Sequence, residues 1–154
     1  MGAKKRAYLV RGSSYSQTGN QTAAASDYLQ WLVLTQSRIT DLSELKVGKS
    51  LVLDMEAGQI YRIPFEAKKG DPIKVTAYAA PNTGADPVIL LQDAKGTPII
   101  GDNNGAGGLN AAIPSFVVPA DGTYTLLVSH GASSTTGSID VSLALANPAL
   151  VTAP

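Results

Sequence analysis

Between Asp86 and Ala146 the chain alternates short apolar runs with turns rich in glycine, aspartate and asparagine, and no other feature constrains its fold as much. Val88–Leu91 leads into Asp93-Ala94-Lys95-Gly96, and Pro98–Ile100 leads into Gly101-Asp102-Asn103-Asn104-Gly105. Ala112–Val118, Thr123–Ser129 and Ser138–Leu145 complete the series. In the last two runs Tyr124, Leu126 and Val128, then Ile139, Val141, Leu143 and Leu145, recur at every second position. A period of two places them on one face of a strand, so each strand buries one side. Short strands punctuated in this way predict an all-β, antiparallel β-sandwich of jelly-roll type with polar loops at its ends.

Upstream, Ser50–Asp54, Ile60–Glu66 and the stretch carrying Ile73, Val75 and Ala77 read as further strands. Tyr61, Ile63 and Phe65 share one face of theirs, with Lys74, Thr76 and Tyr78 opposite the apolar side of the next. Pro64 lacks a ladder donor, which predicts an edge strand or a bulge. Asp41–Val47 reads as a turn or a single helical turn closed by Gly48. Residues 1–44 form an N-terminal extension. Gly12–Ser26 is almost wholly small and polar, and alone buries too little to offset its ordering entropy. Within the extension, 27–35 (Asp-Tyr-Leu-Gln-Trp-Leu-Val-Leu-Thr) carries the β-prone run Trp31–Leu34 and is expected to be a strand. Residues 147–154 read as a tail or inter-module linker.

Charge narrows the function classes. Twelve Lys and Arg balance twelve Asp and Glu, so the net charge is zero. Binding to nucleic acid requires a basic face, and Lys4-Lys5-Arg6 is the one basic cluster. Cysteine is absent, which removes thiol catalysis, disulfides and thiolate zinc sites. No apolar run reaches the ~18 residues that read as a membrane span. The low charged fraction of 16% and the abundance of Gly, Ser, Thr and Ala suit an extracellular β-protein. Ala7–Val10 is too short for the core of an export signal, so such a signal is expected to have been removed or to lie outside this sequence.

A family pattern emerges from about Leu45 to Ala146. Its pieces are Leu45-Lys46-Val47-Gly48, the run from Tyr61 to Asp71, Ala85–Asp93, Gly101-Asp102-Asn103-Asn104, Ala120-Asp121-Gly122-Thr123-Tyr124 and the closing strand from Gly137 to Leu145. In order and spacing they resemble the bacterial pre-peptidase C-terminal domain. The resemblance implies a non-catalytic sandwich that serves secreted proteins as a binding, targeting or stabilising appendage, some members holding calcium in a loop. The family's aspartate pair after the central hairpin stands here as Asp102-Asn103, one charge short.

Asp86, Asp102, Asn103 and Asn104 are accordingly the calcium candidates. Strands 88–92 and 98–100 form a hairpin, which brings Asp86 and Asp102 to one end and sends Asp93 to the other. Calcium takes six to eight oxygens, several of them anionic. His130, the single histidine, is expected in a loop after its strand, and nothing resembles a nucleophile elbow. Asp54 and Glu56 flank a turn as solvated carboxylates. The glycines Gly101, Gly105, Gly107 and Gly108 lack the Lys-Ser/Thr of a phosphate loop. Tyr78 and Trp31 are candidates for exposed aromatics.

Two functions follow as expectations, neither of them enzymatic. One is a structural, self-associating subunit of a surface or filamentous assembly, with Tyr28, Trp31, Leu32, Val33 and Leu34 as the interface between copies. The other is an accessory module of a secreted protein that binds a polysaccharide, a peptide or another surface protein, with or without calcium.

Overall fold

The computed structural model describes residues 2–35, 38–56, 58–81, 83–103, 105–108, 110–130 and 137–146. Two helices, α1 (Gly2–Gln17) and α2 (Gln21–Thr35), precede nine strands. These are β1 (Arg38–Asp41), β2 (Lys49–Met55), β3 (Gln59–Ala67), β4 (Pro72–Ala79), β5 (Pro87–Gln92), β6 (Pro98–Asp102), β7 (Ala111–Val117), β8 (Gly122–His130) and β9 (Gly137–Leu145). They form a five-stranded sheet in the order β1-β3-β8-β5-β6 and a four-stranded sheet in the order β2-β9-β4-β7. All pairings are antiparallel except β1 with β3. The expected sandwich is present.

The alternating residues meet between the sheets. Ile63, Phe65, Ile89, Leu91, Leu126 and Val128 from one sheet pack against Leu53, Ile73, Val75, Ile113, Ile139, Val141 and Leu143 from the other. Each fully buried side chain of this kind contributes about 1.5–3 kcal/mol relative to exposure. Pro64 is not on an edge strand. Its carbonyl accepts from the Leu45 amide at 2.9 Å, so its nitrogen also points away from β8. On that side β1 ends opposite Arg62, and the missing donor costs no ladder bond.

The N-terminal extension departs from expectation. Residues 27–35 are not a strand: α2 runs from Gln21 to Thr35. The reason lies in the spacing. Ala24, Ala25, Tyr28, Trp31 and Leu32 are one helical stripe, and all five are buried. The β-prone run Trp31–Leu34 is split by this geometry, with Trp31 and Leu32 inside and Val33 at 55% exposure. The polar segment before it is α1, bonded to α2 rather than trailing as a tail. The Arg11 guanidinium donates to both Asp27 oxygens, at 2.6 and 2.7 Å. Residues 38–40, left without an element by the sequence, form β1 together with Asp41, which was expected to open a turn. The tail at 147–154 lies outside the described residues.

The helical pair covers the outer face of the five-stranded sheet. Tyr28, Trp31 and Leu32 close over Ile60, Val88, Leu90 and Leu127 in a second core. This explains why β5 is buried at five successive positions instead of alternating. At its centre the Tyr28 ring sits between two glycines. A Cβ on Gly12 of α1 would stand 2.8 Å from the ring, and one on Gly101 of β6 would stand 2.8 Å from it and 2.9 Å from the Ile89 carbonyl.

Alanine at either glycine is therefore expected to destabilise by about 1–3 kcal/mol through overpacking. In α1 the ~1 kcal/mol that alanine gains over glycine in a helix offsets part of that cost. Urea unfolding of the two variants measures this, with Gly101→Ala the worse because backbone blocks the retreat. Removing residues 1–35 is expected to bare Ile60, Val88, Leu90 and Leu127, giving strong hydrophobic-dye binding and concentration-dependent association in sedimentation. A dye-silent monomer would contradict it.

Candidate functional site

The β5–β6 hairpin sets the geometry at the loop end. Ile89 pairs with Asp102, so Asp86 lies about 10 Å further along β5 at the usual rise per residue. The two aspartates stand toward the same end of the sheet, offset along it. Asn103 is buried next to Asp102, while Asn104 lies outside the described residues. Tyr28, Trp31 and Leu32 form an interface within the chain, against its own sheet. Leu34 is half-buried and Val33 exposed on the same helix.

Asp102 closes the turn that follows β6. Its Oδ2 accepts from the Gly105 amide at 2.7 Å and the Ala112 amide at 2.8 Å. Burial raises its pKa, opposed by the amides of Ala112, Gly105 and Asn103 and by the Ser16 hydroxyl. Beside it opens a cleft of about 190 Å³, lined by Ser13, Ser16, Gln17, Tyr28, Asp102 and Gly105. Ser13, Ser16 and Gln17 recur at helical spacing, which puts them on one face of α1. The Tyr28 hydroxyl donates to Ser13 Oγ at 3.4 Å, and burial pushes the phenol up to about 12, so it stays protonated. Asn103 Nδ2 also reaches Ser13 Oγ, at 3.5 Å, while Asn103 Oδ1 is buried with no partner. Sequence reading missed this cleft because its serines lie in the polar segment that was given no element. The one legible signal was the i, i+3, i+4 spacing.

Among the described residues no three carboxylate or imidazole groups come together. Asp102 already spends Oδ2 on two amides, whereas calcium wants several free anionic oxygens.

His130 is not in a loop. It is the last residue of β8 and is buried, its Nδ1 accepting from the Asp86 amide at 3.1 Å. Ser129 faces the other way, its hydroxyl donating to the Gln59 carbonyl at 2.8 Å. Successive strand residues point to opposite faces, so these two do not form a nucleophile–base pair. The carboxylates at 54 and 56 serve structure: Asp54 accepts from the Ser138 hydroxyl and Glu56 pairs with Arg38.

The outer face of the four-stranded sheet carries no covering element among the described residues. Val52, Asp140 and Tyr78 make one cross-strand row, and Ser50, Ser142, Thr76 and Ala112 the next. Tyr78 is 46% exposed and Val52 66%. Of the two aromatics expected outside, Tyr78 is there and Trp31 is in the core.

No family model matches the sequence, and no curated protein matches it. Solved structures do. The pre-peptidase C-terminal domain of collagenase from Bacillus anthracis superposes with a TM-score of 0.55 at 12% identity, covering 68% of this chain and 96% of that one. PliG of Aeromonas hydrophila, a periplasmic inhibitor of g-type lysozyme, gives 0.52 at 18% identity, covering 69% and 97%. At these identities the likeness is one of fold. The chain carries a β-sandwich like that of the pre-peptidase C-terminal domain, as the sequence pattern implied.

Asp86 generates a pH prediction. Its Oδ1 is buried with no partner, and burial raises its pKa above 3.8, with His130 opposing. The native state then holds a proton that the unfolded chain has lost, so stability falls as pH rises from 3.8 through the folded value. Asp86→Asn is expected to match or exceed the parent's stability at neutral pH and to flatten the slope above that point. Thermal unfolding across the acid range reads both.

Proposed function

We propose that this chain is a non-catalytic binding module of an extracellular or cell-envelope protein, and that its ligand is a protein surface docking on the open four-stranded sheet. The observation that carries this is the asymmetry of the two sheets. Helices seal the outer face of one, and the other offers an uncovered face with Tyr78 and Val52 flanking Asp140. Tyrosine in a weakly charged setting is a favoured anchor at protein interfaces. The opposed charges of Lys74 and Asp140 suit a ligand of low net charge. One exposed ring is a small platform for a sugar chain, which ordinarily stacks on several. The fold neighbours support a binding role, one being a pre-peptidase C-terminal domain of a collagenase and the other an inhibitor of g-type lysozyme. Self-association through 27–35 has lost its motive, since that segment is an internal helix.

The test is surface-based binding of the full chain to fibrillar collagen, lysozyme, peptidoglycan and cellulose, with and without a chelator. At least one protein is expected to bind. Tyr78→Ala is expected to weaken it about tenfold or more, the scale of an interface anchor, with unchanged melting. Binding that survives Tyr78→Ala together with Val52→Ser overturns the reading. So does binding to polysaccharide alone, or self-association alone in sedimentation. A loss on chelation would assign calcium a supporting part.

A further inference from the structure

We propose that the cleft between α1 and the turn after β6 binds a primary ammonium group on an aliphatic stem, as carried by a lysine side chain or a free alkylamine. This site is on the helical side of the molecule and is independent of the open sheet. Charge is the first argument. Asp102 is 7% exposed and lines the cleft. Ion pairs among the described residues join Arg11 to Asp27, Arg38 to Glu56, Lys46 to Glu44 and Arg62 to Asp41, and none reaches Asp102. A buried carboxylate without a cation favours a ligand that supplies one and rejects an anion.

The walls fit the same group. An ammonium brings three donors and no acceptor. Ser13, Ser16 and Gln17, from one face of α1, offer hydroxyl and amide oxygens around the carboxylate. Behind Ser13 stands Asn103, 5% exposed, its Oδ1 without a partner. A volume of about 190 Å³ has room for a short stem but not for a folded peptide.

Geometry separates ammonium from guanidinium. Arginine recognises carboxylate with a fork that uses both oxygens. Here Oδ2 of Asp102 is taken by the Gly105 and Ala112 amides, and the Asn103 amide and Ser16 hydroxyl also bond the carboxylate, so a point donor is served better than a fork.

The experiment follows the Gly105 and Ala112 amide resonances of the full chain by NMR. The probes are butylammonium chloride, Nα-acetyl-lysine methylamide, its Nε-acetyl counterpart, Nα-acetyl-arginine methylamide, glucose and calcium chloride. Saturable shifts are expected with the ammonium probes. The Nε-acetyl compound is expected to bind about tenfold more weakly or worse, the scale of one charge-assisted hydrogen bond. Arginine is expected to fall below lysine. Asp102→Asn is expected to abolish the shifts. Because that variant risks misfolding, Gln17→Lys supplies a second arm: Gln17 is exposed at the rim, and lysine there places a resident ammonium at the mouth. It is expected to weaken the probes about tenfold with unchanged melting. Shifts with the lysine compound alone assign the site to side chains of a partner, and shifts with butylammonium alone assign it to free amines. Equal binding of the acetylated compound, preference for arginine, shifts with glucose or calcium only, or no shift with any probe overturns the proposal.

Discussion

The grip of Gly12 and Gly101 on the Tyr28 ring joins the two halves of this molecule. The ring is fully buried, and a single extra carbon on either side would stand 2.8 Å from it. Close packing of this kind leaves the interior no slack, so the position of α2 over β6 is set to within a fraction of an ångström. The helical pair is held by more than oil. The Arg11–Asp27 fork ties α1 to α2, and the Tyr28 hydroxyl meets Ser13 at the edge of the cleft.

That packing changes what the sandwich is. A two-layer sandwich ordinarily keeps one face of each sheet in water. Here Ile60, Val88, Leu90 and Leu127 point outward into a second core, so the five-stranded sheet is buried on both sides. The four-stranded sheet turns Ser50, Val52, Tyr78 and Asp140 outward, while Thr76 is buried among its neighbours on that face. The surface left for partners is thereby unequal. One side presents helices with a small polar cleft at their foot, the other an uncovered sheet face around Tyr78.

Buried polar groups concentrate at the loop end of β5, β6 and β8. Asp102, Asn103, Ser129 and His130 are buried and Asp86 is half-buried, and they come from three neighbouring strands or the turns beside them. Most are spent on backbone: Asp102 on two amides, His130 on the Asp86 amide, Ser129 on a carbonyl. Such bonds satisfy groups that burial would otherwise penalise. They also tie up the atoms that chemistry would need, which fits a role in binding.

The strands were legible because their information is local. A period of two and glycine-bearing turns specify a strand wherever it finally lies, and from Lys49 onward the sandwich follows. The likeness to the pre-peptidase C-terminal domain was readable for the same reason, being carried by turns and spacing. The extension was misread because Trp31–Leu34 is apolar in succession, and succession says nothing about which residues face inward. The stripe at 24, 25, 28, 31 and 32 was present in the sequence, but it needed an apolar sheet face to give it meaning. The cleft was hidden more deeply. Ser13 and Asp102 are far apart along the chain, and only the seat of Tyr28 between two glycines brings them to one wall. Sequence alone thus determined the strands and their inward faces, since pleat and turn are short-range matters. Tertiary structure decided which sheet was sealed, where a polar cleft opened and which aromatic stayed in water, since those depend on contacts between distant segments.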